Sequence, residues 1–267
     1  MTWPADYHMH TTLCGHATGE PTEYAAQALK IGLPEIGFSD HSPMARDNFD
    51  NWRMRLNQLD EYVEKVRQAR TDHPNLSIKL ALEVDYLPGH ASWIEELAAK
   101  HPWDYLIGSV HYVSDSWAVD DPHRISEWRK RDAFEVWSIY FDRLTQAARS
   151  KLFNIIGHAD LPKKFGFVPN QDCTPIFESF LSAAQSAGVA IELNTAGLRK
   201  ACKEIYPSPS FVRLMREHRI PITFGSDAHA AAEVGSAFAE AIQLARSAGY
   251  TEYLRFDQRK PKPTTLT

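Results

Sequence analysis

Short apolar runs alternate with amphipathic stretches along nearly the whole chain, and many of the runs end in histidine, aspartate or glutamate. A short strand ending near His10 is followed by a helix that opens at Pro21, where the fixed φ of proline suits a first turn. This helix continues through Tyr24, Ala25, Ala28 and Leu29 and stops at Gly32. Residues 36–40 predict the second strand. The next helix carries Leu56, Leu59, Val63 and Val66 as one apolar stripe, with charges on its other faces. Runs at 78–84, 105–110, 155–156, 189–193 and 222–224 predict five more strands. Helical patterns separate most of them, marked by Phe134, Trp137, Phe141 and Leu144, then Ile176, Phe177, Phe180 and Leu181, then Phe211, Leu214 and Met215, and last Phe238, Ile242 and Leu244.

Apolar strands alternating with amphipathic helices predict an α/β fold with a parallel sheet covered by helices, either open or closed into a barrel. The polar strand ends decide between them. His8 and His10, Asp40 and His41, Glu83, His111, His158 and Asp160, Glu192 and Asn194, and Asp227 and His229 follow separate runs. In a closed barrel the C-terminal ends of all strands meet at one face within reach of one point, whereas the outer strands of an open sheet lie too far apart. No glycine-rich phosphate loop follows the first strand, so the nucleotide-binding open sheet lacks its signature. The expectation is a TIM-barrel-like fold of seven strands, one domain over residues 1–267, with 260–267 an extended or disordered tail.

Composition narrows the partners. A formal charge of −5 with no basic run gives no footprint for nucleic acid or anionic membrane, leaving a small molecule as the expected partner. The first residues lack the basic and apolar segments of a signal peptide, and no stretch is apolar enough to span a bilayer, so a cytoplasmic protein is expected. Cys14, Cys173 and Cys202 are odd in number and far apart, which argues against a disulfide framework or thiolate zinc site. Cys14 is expected to pack a loop. Ser39, Ser109 and Ser226 lack a nucleophile elbow.

The polar ends have the chemistry of metal ligands. His8 and His10 are two apart on a strand and point to one side, and Asp227 and His229 repeat that spacing. Each pair alone is a moderately specific signal that also admits a reading as polar strand residues; a set distributed over so many strand ends does not. Glu83 closes the apolar run 78–82, where an uncompensated charge is too costly, and its two oxygens can bridge two ions. His111 and His158 are natural partners for a second ion, and His16 and His41 could join His229 around a third. Asp40 and Asp160 are expected to orient ligand imidazoles. His73, His90, His101, His123 and His218 lie at turns or helix ends and are given no role.

The ordered set His8-Met9-His10, His16, Asp40-His41, Glu83, Ser109-Val110-His111, Gly157-His158 and Asp227-Ala228-His229 resembles the PHP (polymerase and histidinol phosphatase) superfamily over essentially the whole chain. The opening 8–17, the stretch from Ser109 through Trp117 to Pro122, and residues 194–200 followed by Tyr206-Pro207-Ser208 are similar to the monofunctional histidinol-phosphate phosphatases. The resemblance implies a distorted seven-stranded barrel with up to three divalent ions at the C-terminal ends of its strands. It assigns His8, His10, Glu83 and Asp227 to one ion, Glu83, His111 and His158 to a second, and His16, His41 and His229 to a third. Zinc, iron and manganese all suit such ligands.

The implied activity is hydrolysis of L-histidinol phosphate to L-histidinol and phosphate, in histidine biosynthesis. Glu83, Asp227, His41 and Asp40 are the residues expected at the reaction. Arg199 and Lys163 are candidate phosphate contacts, since guanidinium can bind two phosphate oxygens at once. Asp160 is a further substrate-side candidate, and Asp85, Asp115 and Asp120 are candidate acceptors for the amine and imidazole. Ser114-Asp115-Ser116 departs from the family pattern of an acidic residue followed by glycine. The alternatives are a phosphodiesterase or nuclease of the same superfamily, a phosphatase of another small monoester, and a non-catalytic metal- and ligand-binding regulatory barrel.

Overall fold

A computed structural model describes residues 2–114 and 116–266. Along the chain the elements are α1 (Pro21–Ile31), β1 (Glu35–His41), α2 (Leu59–Asp72), β2 (Ser77–Asp85), α3 (Ala91–Lys100), β3 (Tyr105–Ser109), β4 (Tyr112–Ser114), β5 (Trp117–Ala118), α4 (Ala133–Ser150), β6 (Ile155–Ile156), α5 (Thr174–Ala187), β7 (Ala190–Asn194), α6 (Pro209–Glu217), β8 (Ile222–Gly225), α7 (Phe238–Ser247), β9 (Glu252–Asp257) and β10 (Lys260–Thr265). Six strands form one parallel sheet in the order β1-β2-β3-β6-β7-β8. β1, β3, β7 and β8 are buried at every position, as strands with both faces covered must be.

The sheet curls. Its two edge strands both bond to the extended N-terminal segment: Asp6 N donates to Glu35 O at 3.1 Å and Ser39 N to Met9 O at 3.0 Å on one side. On the other, Tyr7 N donates to Phe224 O at 3.0 Å and His10 N to Ala228 O at 2.9 Å. The strand expected to end near His10 is thus an extended segment with isolated parallel bridges at Asp6–Ile36 and Met9–Ala228, not a continuous ladder.

The helices follow the expected pattern with one rotation. Pro21 starts α1 and Gly32 ends it in the left-handed conformation. In α2 the buried face is Leu59, Tyr62, Val66 and Ala69, whereas Leu56 lies in a preceding 3₁₀ turn and is exposed. The phenol decides the rotation, because Tyr62 has an apolar body to bury and a hydroxyl that donates to Ala81 O at 2.8 Å in β2. α3 and the short β4–β5 hairpin were not expected from the pattern. Among the described residues no helix is long and apolar enough to cross a membrane.

Residues 260–265 are extended, and they are paired: β10 runs antiparallel to β9. This hairpin covers the end of the sheet where the strands begin. Arg255 pairs with Glu35 at 2.5 Å, Arg259 N donates to Asp104 O at 2.7 Å, and Phe256 packs on Tyr7 and Tyr105. The opposite end of the sheet stays free for the loops that carry the histidines.

Candidate metal centre

Glu83 stands two residues before the end of β2 and is 1% exposed. Its Oε1 lies 2.9 Å from His158 Nε2 and 3.7 Å from His111 Nε2. Its Oε2 lies 2.8 Å from His41 Nδ1, 3.4 Å from His8 Nε2 and 3.8 Å from His10 Nε2. Asp227 Oδ1 is 3.1 Å from His10 Nε2 and 3.9 Å from His8 Nε2, and His229 Nε2 faces His16 Nε2 at 2.9 Å. Donor atoms of His8, His10 and Asp227, of Glu83, His111 and His158, and of His10, His41 and His229 each fall within 4.8 Å of one another. One carboxylate therefore joins side chains delivered by the N-terminal segment and by the ends of β1, β3 and β6.

A second layer of carboxylates orients the imidazoles. Glu192, in β7, accepts from His8 Nδ1 at 2.8 Å and from the backbone N–H of His158 at 3.1 Å. It reaches His8 because position 225 is glycine: a Cβ there would sit 1.9 Å from Glu192 Oε1. Asp40 holds His10 Nδ1 at 3.3 Å, and Asp85 holds His111 Nδ1 at 2.8 Å. Each leaves Nε2 of its histidine free to face the centre, as ligand imidazoles require. Burial lowers the proton affinity of His10 and His111, but the carboxylates beside them outweigh it and push both up to about 9. For His41 burial wins, pushing it down to about 4 against the pull of Glu83. Burial would raise Glu83, yet the surrounding imidazoles hold it well below the usual carboxylate range.

His8 Nε2, His41 Nδ1 and Glu83 Oε2 are buried, close together, and make no hydrogen bond. Polar atoms so placed are costly in a dry pocket. Divalent cations bound by imidazole and carboxylate turn each of those lone pairs into a bond, so the donor set fits such ions. Cys14 lies beside this group, with its sulfur within 4.8 Å of donor nitrogens of His16 and His229. Burial pushes its thiol up to about 12, in keeping with a packing role.

The centre opens on a cavity of about 560 Å³ whose lining includes His16, His41, Glu83, His111, His158, Asp227 and His229. Trp52, Asp120, Asp121, His123, Lys164, Lys200 and Glu233 also line it.

A family model described as PHP domain matches residues 6–196, and one described as PHP-associated matches 212–246. The chain belongs to the PHP domain family. Among PHP relatives, the protein named probable histidinol-phosphatase of Deinococcus radiodurans is 42% identical over 265 residues, covering 98% of this chain and 100% of the relative. The histidinol-phosphatase of Bacillus subtilis is 28% identical over 257 residues, covering 87% and 96%. The crystal structure of histidinol phosphate phosphatase from Lactococcus lactis, complexed with zinc, L-histidinol and phosphate, has the same fold. Its TM-score is 0.84 at 24% identity, covering 98% of this chain and 100% of that one.

Within this PHP scaffold the expected substrate contacts fare unevenly. Lys163 does not line the cavity: it is 3% exposed, and its ammonium is taken up by Asp160 at 2.9 Å, Glu204 at 2.7 Å and Ile205 O at 2.7 Å. Lys164 faces the cavity instead. Asp160 touches no ligand imidazole, since the 3₁₀ turn after His158 aims it at Lys163 and at the backbone N–H of Ser208. Arg199 Nη2 donates to Ser226 O at 2.9 Å and Asp227 O at 3.0 Å, bracing the turn in which Asp227 has φ +52°. Asp85 is committed to His111 and Arg53, Asp120 lines the cavity paired with Lys164, and Asp115 lies outside the described residues. His123, expected to be an ordinary turn histidine, lines the cavity because the turn after β5 folds over it. Glu192 and Trp52 went unassigned in the sequence. Glu192 carried a readable signal, a carboxylate near the end of an apolar run like that of Glu83; Trp52 sits in a loop and carried none.

Proposed function

We propose that the chain is a metal-dependent phosphomonoesterase that hydrolyses L-histidinol phosphate to L-histidinol and phosphate, a step of histidine biosynthesis. The observation that carries this is the meeting of His8, His10, His41, His111, His158 and Asp227 around Glu83, in a chain similar over its whole length to proteins named histidinol-phosphatases. His8, His10, Glu83 and Asp227 would hold one divalent ion, Glu83, His111 and His158 a second, and His16, His41 and His229 a third. Zinc, iron and manganese remain equally suited to this set. Bound there, such ions supply Lewis acidity toward a phosphoryl oxygen and make water acidic enough to attack near neutral pH.

The remaining work falls to the chain's own side chains. Asn194 Nδ2 donates to Asp227 Oδ2 at 3.2 Å, which keeps Oδ1 turned toward His10. Lys164, fixed by Asp120 at 2.8 and 3.0 Å, and Lys200 place positive charge on the wall that a phosphate dianion passes. Asp121 and Glu233 offer acceptors to the amine and imidazole of the substrate. Trp52 lies edge-on to His41 and His111, with ring centroids at 4.8 and 5.1 Å, and shields them from solvent.

The scaffold reads as a single seven-stranded barrel with its metals at the C-terminal strand ends. Support comes from the hydrogen bonds of the N-terminal segment to both β1 and residues 224–228, the position that a seventh strand would take. A cytoplasmic setting suits a small polar substrate and three unpaired cysteines. Phosphate release should be measured over a panel of phosphomonoesters with bis-p-nitrophenyl phosphate included. L-Histidinol phosphate should be turned over far faster than the rest. Equal rates on unrelated monoesters would remove the substrate assignment, and preference for the diester would make the chain a phosphodiesterase.

A further inference from the structure

Arg53 is 8% exposed, which is unusual for a guanidinium outside a ligand set. Its Nη2 donates to Asp85 Oδ2 at 2.7 Å, and Asp85 Oδ1 accepts from His111 Nδ1 at 2.8 Å and from the His111 backbone N–H at 3.2 Å. Its Nη1 donates to Ser42 O at 3.2 Å, the carbonyl directly after His41. Its Nε contacts both oxygens of Asp50, at 2.9 and 2.8 Å, and Tyr112 Oη donates to the same carboxylate at 2.7 Å. The guanidinium also stacks on Trp52, 4.2 Å from the ring centroid.

A buried ion pair adds little stability that well-packed apolar groups could not match, so its placement calls for another reason. Here one cation satisfies the far oxygen of the carboxylate that aims His111 and, from the same plane, tethers the backbone that follows His41. Without it, Asp85 would keep a buried oxygen with no partner and lose its reason to hold one orientation.

We propose that Arg53 is a positioning residue for the metal centre, acting through Asp85 on His111 and through Ser42 on His41, with Asp50 holding the guanidinium in place. The inference rests on the metal-dependent reading above. A group that orients a ligand imidazole typically changes metal affinity by roughly 10- to 100-fold.

The test is chelator-competition titration of manganese and zinc into the full-length protein, with metal content per chain measured after dialysis. Arg53→Met should retain fewer ions than wild type and bind its weakest roughly 10- to 100-fold more loosely, with Arg53→Lys restoring part of the loss. Unfolding of each metal-free variant separates loss of fold from loss of affinity. If Arg53→Met does not fold, Asp50→Asn, which keeps the shape of the acceptor but not its charge, should show the same direction more weakly. Arg53→Met, or Asp50→Asn in its place, holding every ion at wild-type affinity would overturn the positioning role alone. Wild-type protein that binds neither metal would overturn the metal-dependent reading instead.

Discussion

Each imidazole facing Glu83 has two ring nitrogens, and for His8, His10 and His111 a different carboxylate takes the rear one: Glu192, Asp40 and Asp85. This division of labour makes two kinds of substitution separable. Glu83→Gln should reduce turnover by more than about 100-fold and lower the metal content, because it would weaken the donor proposed to be shared between two ion sites. Glu192→Gln should cost roughly 10- to 100-fold in metal affinity while leaving the ligand set intact. Metal analysis beside steady-state rates checks both, and equal losses from the two variants would contradict the distinction. His73→Ala should leave rates near wild type, since the His73 ring bonds the partly buried Thr22 hydroxyl and is not among the residues that line the cavity.

The β9–β10 hairpin is the element least evident from the sequence, where a Lys-Pro-Lys-Pro segment suggested a free tail. It pairs because both prolines lie on an edge strand, where a missing N–H costs no ladder bond, and because Tyr253, Phe256 and Leu266 turn into the core. Its anchor is Glu35, 2% exposed, which accepts from Arg255, Ser77 and Tyr7. Burial opposes ionisation of Glu35, but these donors outweigh it and lower its proton affinity below the ordinary carboxylate value. The native state therefore binds fewer protons than the unfolded chain as pH falls through the acid range. The contribution is fully present above the ordinary value near 4.5 and is lost as pH drops through the lowered one. Glu35→Gln should cost about 1–3 kcal/mol at neutral pH and flatten the acid limb of stability. Denaturant unfolding between pH 3 and 7 measures this; an unchanged acid limb would contradict it.

At the scale of the whole molecule, the expected ligands span the chain from His8 to His229, so only the native state brings them together. Divalent ions should then stabilise the fold by mass action, by about 2.7 kcal/mol at a hundred times the dissociation constant. Thermal unfolding should shift upward with added manganese or zinc and downward with chelator. A midpoint indifferent to both would count against metal binding by the folded chain.

The six strands of the parallel sheet and the helices between them, α3 excepted, were legible from the sequence because burial on two faces writes continuous apolar runs and burial on one face writes a helical stripe, and both are local patterns. The candidate ligands stood out for a related reason: histidine and carboxylate at the end of an apolar run are too costly to leave uncompensated, wherever the chain goes next. What only the tertiary structure decided was who faces whom. His8 and Glu192 are 184 residues apart, Lys163 and Lys164 differ by one step of a 3₁₀ turn, and Arg53 reaches His111 through a carboxylate two residues beyond Glu83. Such pairings depend on strand register, on the curl of the sheet and on the direction of each loop, and these are set by the packing of the whole chain at once.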